Sequence, residues 1–262
     1  MFTKLSEKMI VCALLWGLLT SASTGATDAN SSVKGHRPGQ VEKMILCKLG
    51  LREDVNDTEI IKLLDIPDKT GSVILLIRYR KISSATPKLL EIFNDNKTTI
   101  PKKISAAKAL CDFGNREWVQ PLKAIATDPN SVIRRTSLKI DVAGLLARAG
   151  DYSQFEMLAT SINDSKDYIR SFAIQALGNF GHKTNPVTDS AVELLTSAAI
   201  SDPIPFLRER AIESLEKIAK KKPVVTSKVI DALDANIDSP DKNLRSICRV
   251  KLTIYGRKLK TD

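Results

Sequence analysis

Asp164-Ser-Lys-Asp-Tyr-Ile-Arg170 belongs to a pattern that occurs four times in the chain. The other copies are Asp128-Pro-Asn-Ser-Val-Ile-Arg134, Asp202-Pro-Ile-Pro-Phe-Leu-Arg208 and Asp238-Ser-Pro-Asp-Lys-Asn-Leu-Arg245. Aspartate and arginine stand six residues apart in three copies and seven in the fourth, and the arginines recur at intervals of 36, 38 and 37. An aliphatic residue precedes each arginine (Ile133, Ile169, Leu207, Leu244), and a small one follows by three (Ser137, Ala173, Ala211, Cys248). Seven residues on comes Leu177, Leu215 or Leu252, with Asp141 the exception. A weaker copy upstream has Lys103 in the arginine position, then Ala106 and Leu110. Self-similarity at a fixed period of this size is the mark of a repeat architecture.

Around each anchor the period is helical. Ile169, Phe172, Ala173, Ala176, Leu177 and Phe180 form one stripe of a 3.6-residue helix, and Gly181 is placed to end it. A second apolar-striped segment precedes each such helix, at 116–127, 152–162, 187–200 and 224–237. Asp, Ser and Pro at the junctions supply caps and first-turn prolines. The unit is therefore a helical hairpin, which cannot bury its apolar face alone and needs stacked neighbours. The expected fold is all-α, an α-solenoid (superhelix) of antiparallel helix pairs over residues 87–256.

The pattern resembles the HEAT-repeat family, in the short bacterial form related to bilin-lyase-type repeats. In that family the aspartate ends the inter-helix turn, and the arginine bonds aspartates of its own or a neighbouring repeat. The resemblance implies structural ladder roles for Asp128 and Arg134, Asp164 and Arg170, Asp202 and Arg208, and Asp238 and Arg245. Asp141 fits in one of two ways. A one-residue register change, using Arg135 and Val142, removes the anomaly; otherwise Asp141 is a partly buried acid that pairs with a nearby arginine.

Outside the repeats the readings differ in kind. Lys4 and Lys8, the apolar run Met9–Leu19 and the small residues up to Ala26 have the order of a secretory signal peptide, cleaved after Ala22 or Ala26. The run is too short to span a bilayer, which needs about 20 residues. Residues 1–26 are thus expected to be an address, and the protein to be secreted or periplasmic with no membrane span after cleavage. Residues 27–40 read as a flexible leader, 41–86 as capping helices with a degenerate repeat, and 257–262 as a basic tail. In the 41–86 segment, Asp57 or Thr58 is the expected cap of one helix and Val73–Ile77 the core of its partner.

Composition narrows the chemistry. The chain of 262 residues has 43% apolar residues, a formal charge of +10, four Cys and two His. Two histidines exclude a His-rich metal centre. The di-iron deoxyhypusine hydroxylases, a HEAT enzyme class, use repeated His-Glu pairs, whereas His36 and His182 are followed by Arg37 and Lys183. Cys47, Cys111 and Cys248 lack metal-ligand spacing, and Cys248 shares the slot of Ala173 and Ala211, which suits a buried thiol. No nucleotide or nucleophile motif occurs, so no cofactor and no catalytic residue is assigned.

The charge leaves three function classes. The first is a non-enzymatic scaffold or adaptor, monomeric, that binds another protein or an anionic envelope polymer along its curved surface. The second is an accessory or lyase-type enzyme acting on a cofactor or chromophore. The third is an anion or nucleic-acid binder, whose contacts would include Arg135, Arg210 and Arg249. Nucleic acid is disfavoured because the second helices interleave Ser171, Gln175, Glu209, Glu213 and Ser246 with their basic residues.

Overall fold

The computed structural model describes residues 38–127, 136–182 and 186–256. Among them are thirteen α-helices, four short 3₁₀ turns and no strand. The chain divides into two compact units, at Trp118 and Val119. Each is built of antiparallel helix pairs.

The first unit holds α1 (Pro38–Leu49), α2 (Asp57–Lys62), α3 (Thr70–Arg80), α4 (Thr86–Asn94) and α5 (Ile100–Asp112). Helix α1 starts at Pro38, inside the segment expected to be a flexible leader, because Val41, Ile45, Leu46 and Leu49 form a buried i, i+4, i+5, i+8 stripe. The cap of α2 is Asn56 and not Asp57 or Thr58. Its side chain accepts from the Glu59 N–H at 2.9 Å, the usual bond from an N-cap to the third helical residue. Helix α5 ends on Gly114 at φ +80°, with Asn115 N–H bonded to Leu110 C=O and Gly114 N–H to Cys111 C=O. That reversal needs a left-handed residue, which glycine supplies at least cost.

The second unit pairs α6 (Val119–Thr127) with α7 (Thr136–Arg148), α8 (Phe155–Ser161) with α9 (Asp167–Leu177), α10 (Pro186–Ser201) with α11 (Pro205–Ala219), and α12 (Thr226–Asp234) with α13 (Lys242–Ile254). The repeated positions fill its core. Ile169, Leu207 and Leu244 are buried, as are Ala173, Ala211 and Cys248, and Leu177, Leu215 and Leu252. Each Leu so buried contributes roughly 1.5–3 kcal/mol.

Small residues set how closely the second helices of successive pairs approach. A Cβ on Gly178 would lie 2.9 Å from Ser214 Cβ, and one on Gly144 would lie 3.1 Å from Ala176 Cβ. Gly144 thus does for α7 and α9 what Gly178 does for α9 and α11. This equivalence places Asp141, three residues before Gly144, in the row of Gln175 and Glu213. Val142, the residue that a one-residue change brings to the apolar position, is buried, and Ala143 beside it is buried too. In α11 the place of Gly144 and Gly178 is taken by Glu216, whose carboxylate meets Lys251 Nζ of α13 at 2.6 Å. Gly181 does not end α9. The helix stops at Leu177, and Gly181 lies in a 3₁₀ turn where a Cβ would meet Ile218 Cα at 3.1 Å. No described helix is long and apolar enough to cross a membrane.

Candidate functional site

Polar side chains of the second unit fall into two sets: those bonded to the next repeat, and those left on the outer face of α9, α11 and α13. The first set begins with Arg170. Its Nε donates to Asp202 Oδ2 at 2.8 Å, and Nη2 donates to Oδ1 at 3.2 Å. Nη1 donates to the carbonyls of Asp164 and Ser165 in the turn of its own hairpin. Asp202 completes its shell by accepting the Ile204 N–H at 2.9 Å. Asp164 takes part through its backbone; its carboxylate accepts the Lys166 N–H and shapes the turn.

The pattern changes further along. Arg208 forms no ion pair among the described residues, and its Nε is buried without an acceptor. The aspartate of the next turn, Asp238, is exposed and lies 3.5 Å from Arg249. Arg245 donates to the Ser239 carbonyl, six residues back as Arg170 does to Asp164. The extra residue in this turn therefore puts Ser239, not Asp238, in the ladder position. Asp128, Arg134 and Arg135 lie outside the described residues.

Further rungs join repeats without the aspartate–arginine pair. Lys217 Nζ donates to Asn179 Oδ1 at 2.6 Å, Lys222 Nζ to Asp189 Oδ1 at 2.5 Å, and Asn236 Nδ2 to the Ala199 carbonyl at 2.9 Å. With Lys251–Glu216 and Arg170–Asp202, these partners stand 32 to 38 residues apart, one repeat. Residue identity changes from rung to rung, so motif alignment misses them; the common spacing was the signal that could have found them. In the first unit, Arg78 and Asp112 form a similar pair at 2.7 Å, 34 residues apart.

The second set lies on α11. The Arg210 guanidinium sits 4.7 Å from the centroid of the Phe206 ring, a cation–π contact. Its Nε is buried without an acceptor, and burial holds its pKa below the usual arginine range although Glu213 and Glu209 oppose this. Burial also pushes the Glu209 carboxyl up, with Glu213 adding to the effect. The Glu213 carboxyl is raised by burial too, against the pull of Lys251 and Arg210. Cys248 is buried behind this face, and loss of solvation pushes its thiol up to about 11. Cys47 is exposed.

Residues 141–250 match the sequence profile of the HEAT repeats family. These residues are HEAT repeats. Among solved structures, human deoxyhypusine hydroxylase in complex with glycerol is similar at 16% identity, with 95% of this chain and 99% of that chain covered and a TM-score of 0.34. No curated protein matches the chain. Within the HEAT repeats, Arg170 and Asp202 border a cleft of about 280 Å³, lined also by Ile162, Leu194, Ser197 and Pro203. The guanidinium and carboxylate there are bonded to each other. Among the described residues, no group of three or more His, Cys, Asp or Glu could hold a metal ion.

Proposed function

We propose that this chain is an exported, non-enzymatic scaffold that binds a macromolecular partner along the helices of its HEAT repeats. The observation that supports the reading most directly is the division of polar groups in the second unit. Charged and amide side chains one repeat apart are spent on holding hairpins together. What remains outward is an extended helix surface, which offers contact area for recognition.

Export rests on the order of charged, apolar and small residues in 1–26. The partner is a protein or an anionic envelope polymer, and the net charge of +9 that remains once Lys4, Glu7 and Lys8 are removed with residues 1–26 favours an acidic one. Two measurements test the two halves. N-terminal sequencing of the protein from its native source should begin after Ala22 or Ala26; a retained Met1 overturns export. Affinity capture from the envelope fraction at low and high salt should recover one stoichiometric partner. Recovery of none under either condition overturns the scaffold assignment.

A further inference from the structure

Asn96-Lys-Thr98 and Asn163-Asp-Ser165 have the Asn-x-Ser/Thr pattern of an N-glycosylation acceptor, which in a secreted protein belongs on a surface loop. The two asparagines hold the same place in the repeat. Asn96 stands seven residues before Lys103, and Asn163 seven before Arg170. Each therefore lies where the first helix of a hairpin turns into the second, Asn96 between α4 and α5 and Asn163 between α8 and α9. Both are exposed.

Neither turn needs its asparagine. In the first, Asp95 shapes the chain by accepting the Lys97 N–H at 2.9 Å and the Thr98 hydroxyl at 3.1 Å, while the Asn96 side chain bonds nothing among the described residues. In the second, Asp164 accepts the Lys166 N–H at 2.8 Å, and the Asn163 amide only grazes the Ala159 carbonyl at 3.5 Å. A contact that long is a weak bond at most. Other copies of the repeat carry Thr127, Ser201 and Asp238 in this place, so the turn itself does not call for asparagine. Asn56-Asp-Thr58 is the contrast. Its asparagine is also exposed, but the side chain caps α2. An idle, solvent-facing amide takes a bulky polar chain without loss of a fold contact, whereas the amide of Asn56 is committed to starting a helix.

We infer that Asn96 and Asn163 each carry an N-linked oligosaccharide. The donor class is an oligosaccharide joined to a lipid through a diphosphate. The amide nitrogen forms a bond to C1 of the first sugar, the bond from C1 to the phosphate oxygen breaks, and the amide proton passes to the departing lipid diphosphate. The inference rests on the export half of the proposed function, which takes the chain to the compartment where such acceptors serve. It also narrows the surface left for a partner. Asn163 lines the same cleft as Asp164, Arg170 and Asp202, so a glycan there covers the turn edge of that hairpin and leaves the helices open.

The test is peptide mass mapping of the full chain from its native source, before and after treatment with peptide N-glycosidase. Peptides holding Asn96 and Asn163 should carry a hexose-bearing mass that the enzyme removes, leaving aspartate in each place, and the Asn56 peptide should be bare. In the same host, Asn96→Gln and Asn163→Gln should each remove one glycan. Thr98→Ala should remove the glycan at Asn96 although the asparagine remains, and a mass that survives this substitution overturns the assignment of that site. Bare Asn96 and Asn163 peptides from a chain that begins after Ala22 or Ala26 overturn the inference and leave export standing. A retained Met1 overturns both. A glycan on Asn56 in their place also overturns the inference, because it removes the argument from idle side chains.

Discussion

Replacing Gly178 with alanine tests whether close helix approach holds the HEAT repeats together. The residue caps α9 at φ −60°, a conformation alanine adopts freely, so the backbone is not the obstacle. The obstacle is Ser214. The new methyl would sit 2.9 Å from its Cβ, 3.0 Å from its Oγ and 3.2 Å from its Cα. Two of those atoms are fixed to the α11 backbone, so relief requires the helices to separate. Overpacking of this kind costs about 1–3 kcal/mol. The lower entropy of the unfolded alanine chain offsets about 0.4–1 kcal/mol. The net expectation is destabilisation by about 1–2 kcal/mol, a fall in Tm of about 2–8 °C if each kcal/mol moves a chain of this size by about 2–4 °C.

Urea denaturation followed by circular dichroism would measure it, with Gly71→Ala as the control. A Cβ at Gly71 meets nothing within 4 Å, so that substitution should stabilise by about 0.4–1 kcal/mol. Combining Gly178→Ala with Ser214→Gly removes the nearest clash, and the pair should be less destabilised than the sum of the singles by about 1 kcal/mol. A Gly178→Ala protein as stable as Gly71→Ala would refute the argument.

Other substitutions probe other parts. Arg170→Ala leaves the Asp202 carboxylate, 4% exposed, without its guanidinium, and should cost about 3–5 kcal/mol in the same denaturation assay. Asp202→Asn, which keeps the acceptor for Ile204 N–H, should cost less. For Asp151, burial raises the carboxyl, but bonds from Lys123 and Ser153 outweigh it and hold the pKa below the usual 3.8. That stability is present above the unfolded pKa and is lost as pH falls through the lower folded one. Asp151→Asn should therefore flatten the acid limb of a urea-midpoint profile between pH 2 and 5. With its thiol raised to about 11, Cys248 should resist a thiol reagent at pH 7.5 until the protein unfolds, whereas Cys47 reacts at once.

The sequence exposed the hairpins clearly, because burial dictates their apolar residues. Ile169, Ala173 and Leu177 could be read as core from spacing alone, and they are core. The ladder was legible only where its partners keep their identity. Arg170 and Asp202 do so. Arg208 does not, because one added residue in the last turn moves Ser239 into the aspartate's place. Gly181 looked like a stop since Phe113-Gly114, an end of that kind, echoes Phe180-Gly181. Only the position of Ile218 shows that the second glycine serves packing instead. The surroundings of Asp141 are likewise visible only in the structure, which buries Val142 and Ala143 after it and sets Gly144 against Ala176. The outer face was the least visible, because an exposed Tyr168 and a buried Ile169 are neighbours in sequence and only their surroundings tell them apart.

The joint between the last two second helices has a consequence for how the array yields under load. Between α7 and α9, and again between α9 and α11, bare glycine lets main chains interlock, and such a contact admits neither water nor sliding. Between α11 and α13 that place belongs to Glu216 and Lys251, whose side chains are 20% and 23% accessible to solvent. A bond between two long, wetted side chains tolerates rotation and re-forms after breaking. The terminal hairpin is thus the compliant end of a stiff stack. Its amide protons should therefore exchange before those of the hairpins behind it.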